Sequence, residues 1–461
     1  MQKLKNLAAI LVGVIDTGVD IHHPYFENKI HPDIIQQRVS DLSTGLSNLP
    51  VYDNSHLLAE NFFRDSQLNF DKIDQLYRMR NLRSHCLATG LSQDELQEYQ
   101  KYVSDDELID LNGWIKKQVH GTAVSSIILN ETQKIKLYPI KGLNHQSEDD
   151  FSDYVKEKYQ IYLETFKDDE YMVEMMMSLF RMREKFFQLV DLMKEKKARI
   201  VNMSFGVSEK NMRRIMSEAY YEIHGKEITI EQLERDLKNY YQTLFDKAEE
   251  KLEEAPDILF VFSAGNHSRN NDHNRHFPSK LRVQNAITVA AVNGEKLSSF
   301  SNFSTWRVDF AARGVAVQAR MPSAIESTLK LNGEQSSYSL FSGTSMSAAM
   351  VSNLAARILE MNENLSSFEL KQIMIKTAEY SAYLKDKLMN PSVMSYPRAL
   401  KAAKLSKVLP LEKAILASKS YVIRPEKDTS LNVYPELLSK IVDHLKTNRY
   451  CDAKYFRILE R

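Results

Sequence analysis

Cysteine is nearly absent from this chain: Cys86 and Cys451 are the two in 461 residues. Two thiols so far apart fit no metal-ligand spacing and are too few for a disulfide-stapled secreted scaffold, though a single disulfide stays open. An excess charge of either sign is lacking as well. Lys plus Arg is 61 and Asp plus Glu is 61, so no global field draws the protein to nucleic acid or to an anionic membrane. Long hydrophobic runs are also missing. The apolar run at 7–15 is too short to span a bilayer. It runs straight into Asp16-Thr17-Gly18 with no small-residue cleavage site, so it does not read as a secretory signal. Lipidation motifs, internal repeats and low-complexity tracts are absent. These absences predict a cytoplasmic protein without a nucleic-acid or membrane partner. Export by a route that needs no N-terminal signal stays open.

Apolar side chains are plentiful, at 43% of the residues, enough for a sizeable core and against global disorder. They fall in short runs at 7–15, 135–141, 199–203, 257–263 and 286–292, each with the character of a strand buried on both faces. Helical periodicity separates the runs, at 119–130, about 148–198 and about 209–254. Such alternation predicts an α/β fold, with a mainly parallel sheet and helices on both faces. Functional groups in these sheets gather beyond the carboxyl ends of the strands. Asp16, Ser204 and Asn266 each sit just after an apolar run. The polar or charged stretches 27–118, 148–198 and 209–254 read as insertions, and 405–461 as a short charged helical extension.

Four local motifs carry chemistry. In Ser342-Gly343-Thr344-Ser345-Met346-Ser347-Ala348-Ala349, small residues crowd one serine at the start of an apolar helix. Free N–H groups and the positive dipole end there favour a developing oxyanion, although a serine so placed is equally an N-cap. His120-Gly121-Thr122-Ala123 puts a histidine at a predicted helix start, where packing fixes its direction; a lone histidine is more often a surface or satisfied core residue. In Val14-Ile15-Asp16-Thr17-Gly18 an acid ends a buried strand, where it either orients an imidazole or makes an ordinary turn. Phe262-Ser263-Ala264-Gly265-Asn266 offers a side-chain amide after a strand, an oxyanion donor or another turn.

The order Asp, His, Asn, Ser in one chain resembles the subtilisin-like serine peptidases. Further segments are similar to that family: Asn202-Met203-Ser204-Phe205-Gly206, Phe277-Pro278-Ser279, 299–303, 309–314 and Tyr396-Pro397-Arg398-Ala399-Leu400. The resemblance covers 8–26, 119–142, 190–206, 256–318 and 340–404. It implies a subtilisin-like three-layer α/β sandwich over 1–404 carrying large helical insertions. It implies a catalytic triad of Asp16, His120 and Ser345, with Asn266 and the Ser345 backbone N–H as the oxyanion hole. It implies that an extended protein or peptide substrate pairs with Ser204, Phe205 and Gly206, and that Ala264 and Gly265 line the first specificity pocket. No acidic residue in these segments demands a basic side chain there, so a broad or apolar preference is expected.

The chain departs from the family pattern at Ala123, where a second histidine is usual, at Ala349 and Met350, and at Arg313, none of them a triad or oxyanion residue. Only 15 residues precede Asp16, too few for the family's folding-assistant propeptide, so either this is a mature form or, as the Met1 start favours, the protein is expected to fold without one. No metal or other cofactor is expected. His22, His23, His267, His273 and His276 fit no ligand template. A structural calcium stays open, because 268–275 offers oxygens without a rigid ligand pattern. The methionines of 172–182 read as one packed helix face or as a surface for a regulatory partner on the helical insertions. The other reading of the whole chain is a latent or inactive module of the same fold, serving as a scaffold or awaiting an activating partner.

Overall fold

A computed structural model describes residues 9–36, 70–141, 153–166, 169–322 and 338–419. Its centre is a parallel sheet of β1 (Ile10–Asp16), β2 (Ile135–Lys141), β3 (Ile200–Met203), β4 (Leu259–Ser263), β5 (Ala286–Asn293) and β6 (Phe310–Arg313), in the spatial order β6-β5-β4-β3-β1-β2. Every pairing between neighbours in that order is parallel. All seven residues of β1 and all five of β4 are buried. Strands covered on both faces must be apolar throughout, which explains their reading as continuous runs. The predicted run 135–141 coincides with β2, and the other strands begin up to three residues later than the runs that foretold them.

The helices described here are α1 (Phe70–Ala88), α2 (Gln93–Val103), α3 (Asp106–Leu129), α4 (Asp153–Phe166), α5 (Glu170–Glu195), α6 (Glu209–His224), α7 (Ile230–Glu253), α8 (Thr344–Met361), α9 (Ser367–Thr377), α10 (Tyr396–Leu405) and α11 (Leu411–Lys419). Helix α8 crosses the sheet, meeting β1, β3, β4, β5 and β6, and packs along α3 and α10. Fourteen of its eighteen residues are buried, so its alanines and serines are what let it lie close to the strands.

One predicted boundary is corrected. The sequence places a helix start at His120, but α3 begins at Asp106 and reaches His120 mid-helix. The charged segment at 104–110 is the N-terminus of α3. Asp105 caps it by accepting from the Leu108 N–H at 3.0 Å, and Asp106 and Glu107 occupy the first turn, where acids suit the helix dipole. Gly113 does not interrupt the helix, at a cost of about 1 kcal/mol relative to alanine. Thus the last part of the first insertion is continuous with the helix that carries His120.

Helices α1, α2 and α3 pack on one another. Lys72 reaches the capping Asp105 at 2.9 Å, and Arg78 forks onto Glu98. These pairs are partly or fully exposed and worth about 0–1 kcal/mol each, so the buried Leu76, Met79, Leu82 and Leu108 do most to hold the unit. In α5, Met175 and Met177 are buried while Met172, Met176 and Met182 are half-buried. Helices α5 and α7 buttress Phe277, with ring centroids at 5.1 Å from Phe186 and 6.4 Å from Phe245. Of the predicted extension 405–461, α11 packs on α9 and α10, burying Ala414 and Ile415. Residues 420–461, with Cys451, lie outside the described residues, as do 37–69 of the first insertion and 148–152 of the second. No helix of the described residues is long and apolar enough to cross a membrane.

Candidate active site

Asp16, Ser204 and Asn266 stand at or beyond the carboxyl ends of β1, β3 and β4, three consecutive strands of the sheet. His120 Nδ1 lies 2.6 Å from Asp16 Oδ1. The Thr17 backbone N–H donates to the same oxygen at 2.7 Å, so Oδ1 is anchored from the main chain while it faces the imidazole. The Asp16 side chain is 1% exposed and that of His120 17%. A buried carboxylate facing a partly accessible ring is the arrangement that orients an imidazole toward the solvent side.

Glycine makes this approach feasible. A Cβ on Gly121 would overlap the Gly18 carbonyl oxygen, so only a bare backbone lets α3 seat against the turn after β1. Thr17 Oγ1 accepts from the Gly121 N–H at 3.1 Å and Thr122 Oγ1 accepts from the Asp20 N–H at 3.0 Å, stitching turn and helix together. Gly121→Ala is therefore expected to destabilise the protein by about 1–3 kcal/mol, despite alanine's better helix propensity. Its unfolding midpoint in urea checks this, and a midpoint at or above that of the wild type would refute the close approach.

Ser345 is the second residue of α8, following the cap residue Gly343. Its Oγ donates to the Ser204 carbonyl at 3.0 Å, and Ser204 Oγ donates back to the Ser345 carbonyl at 3.0 Å. Asn202 Nδ2 donates to Ser204 Oγ, and Ser352 Oγ donates to Asn202 Oδ1, both at 2.9 Å. This buried polar chain fixes the register of α8 against β3, the kind of fully satisfied network that specifies one packing. The Ser345 hydroxyl is thus turned toward Ser204, and Asp16 is the hydrogen-bond partner of His120 among the described residues.

The Thr344 N–H and hydroxyl both donate to Asn266 Oδ1, at 2.8 and 2.9 Å. With its oxygen occupied, the amide keeps its Nδ2 donors for the cavity that Asn266 lines with His120 and Ser345. Ala264 and Gly265 are buried, Phe205 is half-buried and Gly206 is exposed. Gly265 has φ +106, and a Cβ there would meet Asn302 Nδ2. Asn302 in turn accepts from the His267 and Arg269 N–H groups at 2.9 and 3.0 Å, shaping the loop after β4.

Sequence reasoning weighed His276 only as a metal ligand and gave it no place in the cleft. Its ring is what a Cβ on Gly206 would strike, and its Nε2 lies 3.0 Å from where a Cβ on Gly265 would stand. The imidazole therefore fills the space between the two segments. It is 2% exposed, and burial, with His267 and Arg269 nearby, pushes its pKa down to about 3, so the ring is neutral. Ser279 Oγ holds its Nδ1 at 2.8 Å. Among the described residues no group of three or more His, Cys, Asp or Glu is placed to hold a metal ion.

An acid–imidazole pair at the end of a central parallel strand thus shares one cavity with a serine in the first turn of a buried helix. The chain belongs to the subtilase family, whose model matches residues 8–401, and it is a serine peptidase of that family. Among solved structures, it is similar to a lanthipeptide protease at 16% identity, covering 85% of this chain and 87% of that one with a TM-score of 0.45. It is similar to a cold-adapted subtilisin-like serine proteinase at 15% identity, covering 83% and 89% with a TM-score of 0.39. An epidermin leader peptide processing serine protease from Staphylococcus aureus shares 13% identity, over 86% of this chain and 77% of that chain, with a TM-score of 0.44. No curated protein matches the chain.

Proposed function

We propose that the protein is a serine endopeptidase whose triad is Asp16, His120 and Ser345, acting through an acyl-enzyme. The observation that carries the reading is the 2.6 Å contact between His120 Nδ1 and Asp16 Oδ1, with Ser345 on the same cavity as the imidazole. Rotation of the Ser345 side chain away from Ser204 brings its hydroxyl to His120 Nε2; catalytic hydrogen bonds commonly close only with substrate in place. Ser345 Oγ then attacks the scissile carbonyl while His120 takes the proton, and His120 returns that proton to the departing amine. The Asn266 amide and the Ser345 N–H receive the oxyanion, each such donor being worth about 2.7–4 kcal/mol, a figure obtained in subtilisin itself.

The substrate lies extended beside Ser204, Phe205 and Gly206, adding its backbone to theirs. The first specificity pocket is shallow, because the His276 ring stands between Gly206 and Gly265. This favours small residues before the scissile bond over the broad apolar preference expected from sequence. A fluorophosphonate probe tests the reading. Mass spectrometry is expected to find Ser345 modified in the wild type and no serine modified in Ser345→Ala. An unmodified wild type would sink the proposal and favour a scaffold of the same fold.

A further inference from the structure

The cavity at the catalytic residues is not built by the peptidase core alone. Besides His120, Asn266, Ser345 and the 340–343 segment, its lining includes Arg80, Arg83 and Ser84 of α1. Helix α1 is fastened there. Tyr77 Oη donates to the Tyr338 carbonyl at 3.3 Å, Ser84 Oγ donates to the Leu340 carbonyl at 3.2 Å, and Asn293 Nδ2 donates to the Ala88 carbonyl at 2.8 Å. The first two contacts fall just before and on the strand Ser339–Phe341, which leads into Gly343 and Ser345.

Arg80 is the anomaly in this wall. Its guanidinium lies 5.0 Å from the Phe341 ring centroid, and its Nη1 is buried without a hydrogen-bond partner. No carboxylate pairs with it among the described residues. Burial and the neighbouring Arg83 push its pKa down to about 10, which leaves it cationic at neutral pH. A half-buried charge whose Nη1 is out of water and has no counter-charge is costly unless an anion arrives to share the site. The cavity measures about 60 Å³, room for several waters when each needs about 10–15 Å³ of such space. That is room for a carboxylate group.

The position of the cavity says which part of a substrate reaches it. Neither Ser204, Phe205, Gly206 nor Ala264 and Gly265 lines it, so it is separate from the acyl side. It lies instead along 340–343, the segment that leads into Ser345. We propose that Arg80 is a specificity-determining residue that binds a carboxylate on the leaving-group side of the scissile bond, supplied by an Asp or Glu side chain or by the C-terminus of the substrate. This rests on the peptidase reading above. It gives the first insertion a role: α1 brings to the cleft a charge that the core lacks.

The experiment uses the full chain and three otherwise identical peptides: one with Glu after the scissile bond and an amidated end, one with Gln and a free C-terminal carboxylate, and one with Gln and an amidated end. Protection of Ser345 from the fluorophosphonate probe reports binding, and mass spectrometry reports cleavage and its position. Charge-assisted hydrogen bonds of this kind predict about tenfold to hundredfold tighter protection or faster cleavage for a carboxylate peptide than for the neutral one. The Glu peptide gaining alone assigns a side chain, and the free-acid peptide gaining alone assigns a chain end. In Arg80→Met, which keeps an apolar stem on Phe341, the ratio is expected to fall toward one, and Arg80→Lys is expected to restore part of it. Equal behaviour of all three peptides on a wild type that labels at Ser345 overturns this proposal alone, whether or not either variant folds. A wild type that never labels overturns the peptidase reading and this proposal with it.

Discussion

Ser345→Ala is expected to lower kcat by about 10⁶-fold, and adding His120→Ala is expected to cost almost nothing more. The magnitude is that measured for the same triad in subtilisin, a member of this family, and does not come from the present geometry. The non-additivity follows from the chemistry. Once no hydroxyl remains at Ser345, His120 has no proton to accept, so its loss removes nothing further. The remaining activity, about 10³–10⁴-fold over water, would come from substrate binding and from the oxyanion donors, of which Asn266 is held by Thr344 rather than by Ser345's side chain. Single and double variants assayed on one peptide decide the matter. Losses that multiply would mean the two residues act independently, and a Ser345→Ala enzyme within tenfold of the wild type would mean the nucleophile lies elsewhere.

The parts of the fold that the sequence reveals are those whose cause is local. β4 is buried along its whole length and therefore reads as an apolar run within 257–263. Asp16, His120, Asn266 and Ser345 each announce themselves through neighbours of the smallest size, because backbone must approach backbone at those points; Gly121 against Gly18 is the clearest instance. What the sequence hides is long-range. Ser84 and Tyr77 reach the strand before the nucleophile across 256 and 261 positions, and no periodicity encodes such a contact. The start of α3 was obscured for a different reason. Its first two turns are charged because they are partly exposed, so the apolar run that marks the helix in the sequence begins only near 119. Asp105 followed by Asp106 and Glu107 was the available signal. Asn202 and Asn302 are ordinary polar residues in sequence, and only the distances show that they hold the α8 register and the loop after β4.

Removing the Asp16 side chain and neutralising it should have very different consequences. Asp16→Ala is expected to lower kcat by about 3 × 10⁴-fold, again the subtilisin figure, because nothing then orients the imidazole. Asp16→Asn is expected to lose only about tenfold to hundredfold, the difference between a charged and a neutral acceptor. The reason is the Thr17 N–H, which donates to Asp16 Oδ1 at 2.7 Å, the atom that faces His120. In the variant the amide must keep its oxygen there to satisfy Thr17, so the ring still finds an acceptor and retains its tautomer. The cost falls on the other side, where Asp16 Oδ2 is buried with no hydrogen-bond partner. An amide nitrogen placed there is a donor without an acceptor, which should destabilise the fold by about 1–3 kcal/mol. Turning the amide over would return an oxygen to that buried position, but its N–H groups would then oppose both Thr17 and His120 and force the wrong tautomer, with a loss of about 10⁴-fold. Parallel kcat measurements on the two variants separate these cases. An asparagine variant as crippled as the alanine one would show that Thr17 does not hold the side chain, and that the orientation of His120 depends on the charge of Asp16 alone.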